Sequence, residues 1–124
     1  MKYKWGLAQN GKLQIRVARK GRGLGGVYVG RPTPLGNPFR LEREDQREEV
    51  VARYATWLEE ELHRGNREIA RALEELYRKL KRQGALTLVC FCAPRRCHAE
   101  VIAEHLKRRA EAEGLQAEVE VVGR

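Results

Sequence analysis

The pattern of apolar and polar positions predicts an alternation of strands and helices. Residues 13–17 alternate apolar and polar side chains, which is typical of a half-buried strand. Residues 86–92 form an apolar run rich in β-branched and aromatic side chains, which favours a strand buried on both faces. A short strand at 27–29 and a last strand at 117–122 complete the predicted sheet.

Three segments have helical spacing. Asp45 and Glu48 have the spacing of a capping box at the start of the first helix. Asn66 is placed to cap the second helix and Gly84 to end it, and Gly114 ends the third. The first two helices carry apolar stripes, interpreted as core, that comprise Val50, Val51, Tyr54, Trp57, Leu58, Leu62, Ile69, Leu73, Leu76, Tyr77 and Leu80.

This order of elements predicts one α/β domain over residues 1–124. The expected architecture is a small Rossmann-like three-layer domain with a mostly parallel sheet, because a strand–helix–strand unit near the end of the chain implies a parallel crossover. Asn10 and Gly11 favour a tight two-residue turn. Residues 2–18 are therefore predicted to form an N-terminal β-hairpin.

Charge narrows the choice of partners. The chain has 25 basic and 17 acidic residues, a net charge of +8, which favours nucleic acid or a phosphorylated small molecule as partner. The alternative is that these charges only solvate the outer faces of helices. The glycine-rich basic segment 18–26 is interpreted as a flexible linker rather than a phosphate-binding loop. The arginine-rich composition with one methionine is typical of a heat-adapted source.

The chain contains no apolar run near the roughly 18 residues that span a bilayer. The segment 1–5 is too polar for a signal peptide, so we expect a cytoplasmic protein with reduced thiols and no membrane partner. Three cysteines clustered within eight residues also argue against a disulfide framework. The oligomeric state is left open.

A proline-rich loop, Gly30–Phe39, follows the second strand. Three prolines and two glycines in ten residues predict a loop held in one shape. A stiff loop suits a binding site, in which Arg31 would bind phosphate and Asn37 would hydrogen-bond a base or a sugar. The alternative is a structural turn with Arg31 in a surface ion pair. The candidate ligand-binding residues of this loop are Gly30, Arg31, Gly36, Asn37 and Pro38.

A cluster of cysteines occupies the end of the 86–92 strand, the following loop and the start of the third helix, which is where ligands bind in open α/β sheets. A helix N-terminus favours anions and lowers the pKa of a nearby thiol. The candidate catalytic residues are therefore Cys97, His98 and Cys92. Further candidates for anion binding are Pro94, Arg95 and Arg96.

Other interpretations of this cluster stay open. The loop would also suit anion binding without covalent chemistry, with His98 as hydrogen-bond donor or general acid. Cys90, Cys92, Cys97 and His98 would supply four zinc ligands, but their spacing is poor for a structural zinc site, so we expect no cofactor. Cys90 is interpreted as a core residue.

Two long motifs resemble a known family. Residues 27–39, containing GRPTPLGNPF, and residues 90–98, CFCAPRRCH, are similar to the bacterial and phage family called domain of unknown function 4326, over about 13–106. The resemblance implies a Rossmann-like fold with both motifs lining one pocket, and it supplies no reaction. The start of the third helix also resembles domain of unknown function 488, although Ala99 stands where that family has arginine. The matching residues of the first family are Gly30, Arg31, Gly36, Asn37, Pro38, Cys92, Ala93, Pro94, Cys97 and His98.

Three functions compete. The leading hypothesis is a protein that binds a nucleotide or another phosphorylated ligand between the loops Gly30–Phe39 and Cys92–His98, and that hydrolyses or transfers it. The second is a basic adaptor for nucleic acid or for a protein assembly, without chemistry. The third is a structural zinc protein. Whether the protein is an enzyme is not decided by the sequence.

Overall fold

In the computed structural model, residues 11–21 and 25–124 are described, and they form strands and helices in the predicted order. The elements are β1 (Lys12–Arg19), β2 (Val27–Tyr28), a 3-10 turn (Glu44–Gln46), α1 (Arg47–Arg64), α2 (Arg67–Gln83), β3 (Ala85–Cys90), α3 (His98–Ala112) and β4 (Gln116–Val121). The α/β, Rossmann-like class predicted from the sequence is confirmed.

The strands pair in the order β2-β3-β1-β4, and every pair is parallel. β1 lies inside the sheet. It pairs with β3 along one side from Gln14 onward and with β4 along its other side from Lys12 onward. The mostly parallel sheet is therefore confirmed. The crossover through α3 is parallel as predicted, but it passes over β1 to reach β4. The first strand of the predicted hairpin, with Asn10 of its turn, lies outside the described residues.

Alternation along β1 divides the sheet into two faces. The buried side chains Leu13, Ile15 and Val17 join one apolar cluster with the inner faces of the helices. On the other face, Lys12 pairs with Glu118 at 2.7 Å, and Arg16 pairs with Glu120 at 3.7 Å. The alternation follows from the period of two in a strand, and it directs the site-bearing helix α3 onto the apolar face.

Helix ends follow the predicted capping residues. The Asn66 side chain accepts a hydrogen bond from the Ile69 N–H at 3.2 Å, and Gly84 ends α2 in a left-handed conformation. The start of α1 differs from the prediction, because Asp45 lies in the 3-10 turn and α1 begins at Arg47. No helix in the described part of the chain is long and apolar enough to cross a membrane.

The two predicted site loops begin at the same edge of the sheet. β2 and β3 are parallel neighbours, so the carboxyl end of each points the same way, and Gly30–Phe39 follows one while residues 91–97 follow the other. The buried Tyr54 hydroxyl of α1 donates to the Leu35 carbonyl at 2.6 Å, which fixes the first loop against the helical layer.

Candidate functional site

A pocket of about 320 Å³ lies between the two loops. Its wall combines aromatic rings, guanidinium groups and thiols. Of the residues predicted from the sequence, those that line it are Gly30, Arg31, Asn37, Cys92, Arg96, Cys97 and His98. The predicted residues that lie outside its wall are Gly36, Pro38, Pro94 and Arg95.

The two glycines of the first loop make room for neighbouring groups. A Cβ at Gly30 would lie 2.6 Å from the Cζ of Tyr28, and a Cβ at Gly36 would lie 2.8 Å from the backbone nitrogen of Arg31. Both distances are shorter than a carbon atom tolerates. The geometry therefore gives Gly36, and in part Gly30, a packing role in place of the predicted ligand contact.

Asn37 stabilises the loop as well as lining the pocket. Its Oδ1 accepts a hydrogen bond from the Phe39 N–H at 2.9 Å, which is an Asx turn. Arg31 is exposed, and among residues 11–21 and 25–124 it meets no acidic side chain. Its guanidinium therefore keeps its full charge at the pocket wall, and the surface ion pair considered for it is not formed within that part of the chain.

Arg47 is a site residue that sequence reasoning missed. Its guanidinium is mostly buried, donates to the Arg96 carbonyl at 2.7 Å and pairs with Glu44, whose Oε1 is 3.1 Å from Nη2. No local signal marks it, because it stands at the start of α1 and its partner Arg96 is 49 residues away.

Arg95 and Arg96 are tied to acidic residues. Arg95 pairs with Glu44, and Arg96 pairs with Glu48, each at 3.3 Å. These pairs link the cysteine loop to the start of α1. Glu48 offsets the charge that the sequence assigns to anion binding at Arg96, whereas Glu44 is shared between Arg95 and Arg47 and offsets the charge of Arg95 only in part.

The three thiols form one cluster. The Sγ atoms of Cys90 and Cys97 are 2.9 Å apart, and both residues are buried, whereas Cys92 is half-buried. A hydrogen bond from the Cys97 thiol, followed by contact with the Arg47 guanidinium, lowers the pKa of Cys92 to about 5. Hydrogen bonds to Cys90 and Cys92, with burial, raise the pKa of Cys97.

These opposite pKa shifts distinguish the two candidate nucleophiles. The sequence favours the Cys97-His98 pair, but the geometry makes Cys92 the thiolate at neutral pH and Cys97 the protonated hydrogen-bond donor. The physical reason is hydrogen bonding, because Cys97 donates to Cys90 and Cys92 and so stays protonated, while Cys92 accepts from Cys97 and contacts Arg47.

His98 is buried and joins the two loops. Its Nε2 lies 2.9 Å from the Val29 carbonyl oxygen, which can only accept, so Nε2 carries the proton. Burial lowers the pKa of His98, so the ring is neutral and Nδ1 is an acceptor. The ring also meets the edge of Tyr54, with centroids 5.1 Å apart. This geometry suits a positioning role better than a general acid.

An aromatic wall at the pocket mouth was also missed. Phe91 is 62% exposed, and its ring meets Tyr28 edge to face with centroids 5.6 Å apart. The Lys20 ammonium lies 5.6 Å from the centre of the Tyr28 ring. Sequence reasoning assigned Phe91 to the buried strand, but β3 ends at Cys90, which leaves the next side chain outside the core.

The same cysteines and His98 are the possible zinc ligands in the sequence. In the described ranges, no group of three or more histidine, cysteine or acidic side chains is arranged to hold a metal ion. The thiols instead hydrogen-bond to one another.

A family model described as "Domain of unknown function (DUF4326)" matches residues 14–108. The match spans β1 to α3 and includes both loops of the pocket. No curated protein and no solved structure matches the chain.

Proposed function

The chain belongs to the DUF4326 family, whose description names no reaction. From the geometry of the pocket, we propose that the protein binds a nucleotide. The observation that carries this proposal is the meeting, in one pocket of about 320 Å³, of an exposed aromatic ring and a guanidinium that has no acidic partner among the described residues. Pockets of this size suit small ligands.

Arg31 holds the phosphate of the ligand. It is the arginine of the pocket wall that has no acidic partner within the described ranges, whereas Arg47 and Arg96 are paired with Glu44 and Glu48. The N-terminus of α3 adds partial positive charge on the same side. A single wall arginine without an acidic partner in the described part of the chain favours a monophosphate over a triphosphate.

Phe91 and Tyr28 hold the base. An exposed aromatic ring at a pocket mouth offers a face on which a base can stack, and such stacking tolerates any base. The Asn37 amide nitrogen has no acceptor among the described residues and is available to the sugar or the base.

Cys92 supplies the chemistry, if the bound ligand reacts. Its Sγ would attack the electrophilic atom of the ligand, the leaving group would depart with its electron pair, and water or an acceptor would then displace the sulfur. The His98 ring lies within electrostatic range of this thiol.

A nucleic-acid adaptor is less well supported by the site. Within the described ranges, Arg47, Arg95 and Arg96 pair with Glu44 and Glu48, which lowers the net positive charge that this face offers to a phosphate backbone. A small nucleotide makes few phosphate contacts, so its affinity should fall only weakly with salt.

Isothermal titration calorimetry with a panel of nucleoside monophosphates tests the proposal. At least one should bind, and Arg31→Ala should weaken it about 10- to 100-fold, the range for a lost hydrogen bond to a charged group. Arg64→Ala is the matched control, because Arg64 is an exposed arginine at the far end of α1. If no monophosphate binds, or if both variants bind equally well, the proposal is wrong.

A further inference from the structure

We propose that Cys90, Cys92 and Cys97 form a redox centre that reduces small negatively charged disulfides and stores the product as a Cys90–Cys97 disulfide. The inference rests on the three thiols and on the charge at the pocket mouth, and it stands or falls independently of the proposed nucleotide ligand.

The sulfur geometry carries the proposal. The Cys90 and Cys97 Sγ atoms are 2.9 Å apart, closer than two sulfur atoms in ordinary contact, so a disulfide requires only a small approach. Cys90 ends β3 and Cys97 precedes α3, so both thiols are held by regular structure. A thiol pair packed this closely is a poor choice for filling a core but is suited to two-electron oxidation.

Cys92 gives this buried pair access to the pocket. Cys90 and Cys97 are 1% and 3% exposed, whereas Cys92 is half-buried, and all three line the pocket wall. A disulfide too large to reach the buried pair can therefore react first with Cys92. The lowered pKa of Cys92 keeps this sulfur in the thiolate form that attacks disulfides.

The pocket mouth selects the substrate class. Arg31 and Lys20 supply positive charge, and Phe91 and Tyr28 supply an aromatic wall. A low-molecular-weight disulfide that carries carboxylates is attracted to this surface, whereas a cationic disulfide is repelled.

The reaction balances in three exchanges. The Cys92 thiolate attacks one substrate sulfur, the substrate S–S bond breaks, and the first substrate thiolate leaves with the electron pair. Cys97 then attacks the Cys92 sulfur, and its proton passes to the second substrate thiolate as that leaves. Cys90 finally attacks the Cys97 sulfur and releases its proton to solvent, which frees Cys92 again as the thiolate.

The net change is a two-electron transfer. Cys90 and Cys97 are oxidised to a disulfide, and the substrate disulfide is reduced to one thiolate and one thiol, the thiol carrying the proton of Cys97 while the proton of Cys90 goes to solvent. A small dithiol reductant returns the centre to the starting state.

One molar equivalent of dithiobis(nitrobenzoate), an anionic aromatic disulfide, is the probe. The full chain should release about two nitrothiophenolate ions per protein and keep no label, because the mixed disulfide is resolved internally. Alkylation with iodoacetamide followed by trypsin then locates the product. Cleavage after Arg95 and Arg96 separates Cys97 from the peptide that holds Cys90 and Cys92. The alkyl group should be on Cys92 and the disulfide between Cys90 and Cys97.

Three variants test the order of the exchanges. Cys97→Ser should release about one nitrothiophenolate and keep the label on Cys92, and Cys92→Ser should slow the first release about tenfold or more. Cys90→Ser, checked for folding by circular dichroism, should stop at a Cys92–Cys97 disulfide. The mapping of the unmodified chain decides the proposal even where a variant fails to fold.

Three results would overturn the redox centre. They are a stable label on the unmodified chain, a product disulfide other than Cys90–Cys97, and a cationic aromatic disulfide that reacts as fast as the anionic one. None of them bears on nucleotide binding, which the Arg31→Ala titration decides separately.

Discussion

Nε2 of His98 lies 2.9 Å from the carbonyl oxygen of Val29, and this hydrogen bond joins the start of α3 to the strand end that leads into the Gly30–Phe39 loop. The two residues are 69 positions apart. The bond fixes the position of the two pocket walls relative to each other, because the Gly30–Phe39 loop follows Val29 and the cysteine loop precedes His98.

This relationship makes the protein sensitive to acid. Burial lowers the pKa of His98 from its ordinary 6.5, so below that pH the unfolded chain binds a proton that the folded chain refuses. The free energy of unfolding should therefore fall as pH drops below about 6.5. Urea unfolding at pH 7.5 and 5.5 measures this loss, and His98→Gln should reduce it.

His105 contributes to the same pH dependence of stability. Burial lowers its pKa as well, and the pKa of Cys92 is lowered to about 5, so both groups add to the pH dependence in the same direction and His98→Gln should remove only part of the effect. His105→Asn should remove another part. A His98→Gln protein with an unchanged pH dependence would show that His98 is not the buried neutral group described above.

Arg47 should control the reactivity of Cys92. Arg47→Gln removes a positive charge that lowers the pKa of this thiol, so the pH midpoint of its alkylation should rise from about 5. Iodoacetamide labelling followed by peptide mass spectrometry measures the midpoint. Arg64→Gln, on the same helix but at its far end, should leave the midpoint unchanged. An equal midpoint in all three proteins would show that Arg47 does not lower the pKa of Cys92.

Gly30 should be required because of Tyr28. Gly30→Ala places a methyl group against the Tyr28 ring, and overpacking of this kind costs about 1–3 kcal/mol of stability. In a Tyr28→Ala background the same substitution should cost less, since the ring is gone. Urea unfolding of the four proteins gives the coupling energy. Additive effects would mean that the glycine serves another purpose.

Phe91 should affect binding without affecting folding. Its ring is 62% exposed, so Phe91→Ala should change stability by less than about 0.5 kcal/mol. Loss of a stacked base should weaken nucleotide binding by about 1–2 kcal/mol. Calorimetry with a pentose phosphate that lacks a base gives the matched comparison, because its affinity should not change. Equal losses for both ligands would argue against base stacking.

Local patterns in the sequence determined much of the fold. The alternation at 13–17 predicted β1, and Asn66 and Gly84 predicted the ends of α2, because strand period and helix capping depend on neighbours within a few residues. The same holds for the site loops. Prolines, glycines and clustered cysteines marked both of them, since these residue types restrict the backbone or carry chemistry wherever they stand.

Only the tertiary structure determined which thiol is ionised and which arginines are paired with acidic residues. The pKa of Cys92 depends on Arg47, which the chain order places 45 residues away from it, and Arg96 is neutralised by Glu48 of another element. Charge interactions and burial depend on distance in space, and the sequence gives distance only along the chain. The sequence therefore identified the thiol cluster, and only the tertiary structure, which brings the Cys97 thiol and then the Arg47 guanidinium to Cys92, selected its thiolate.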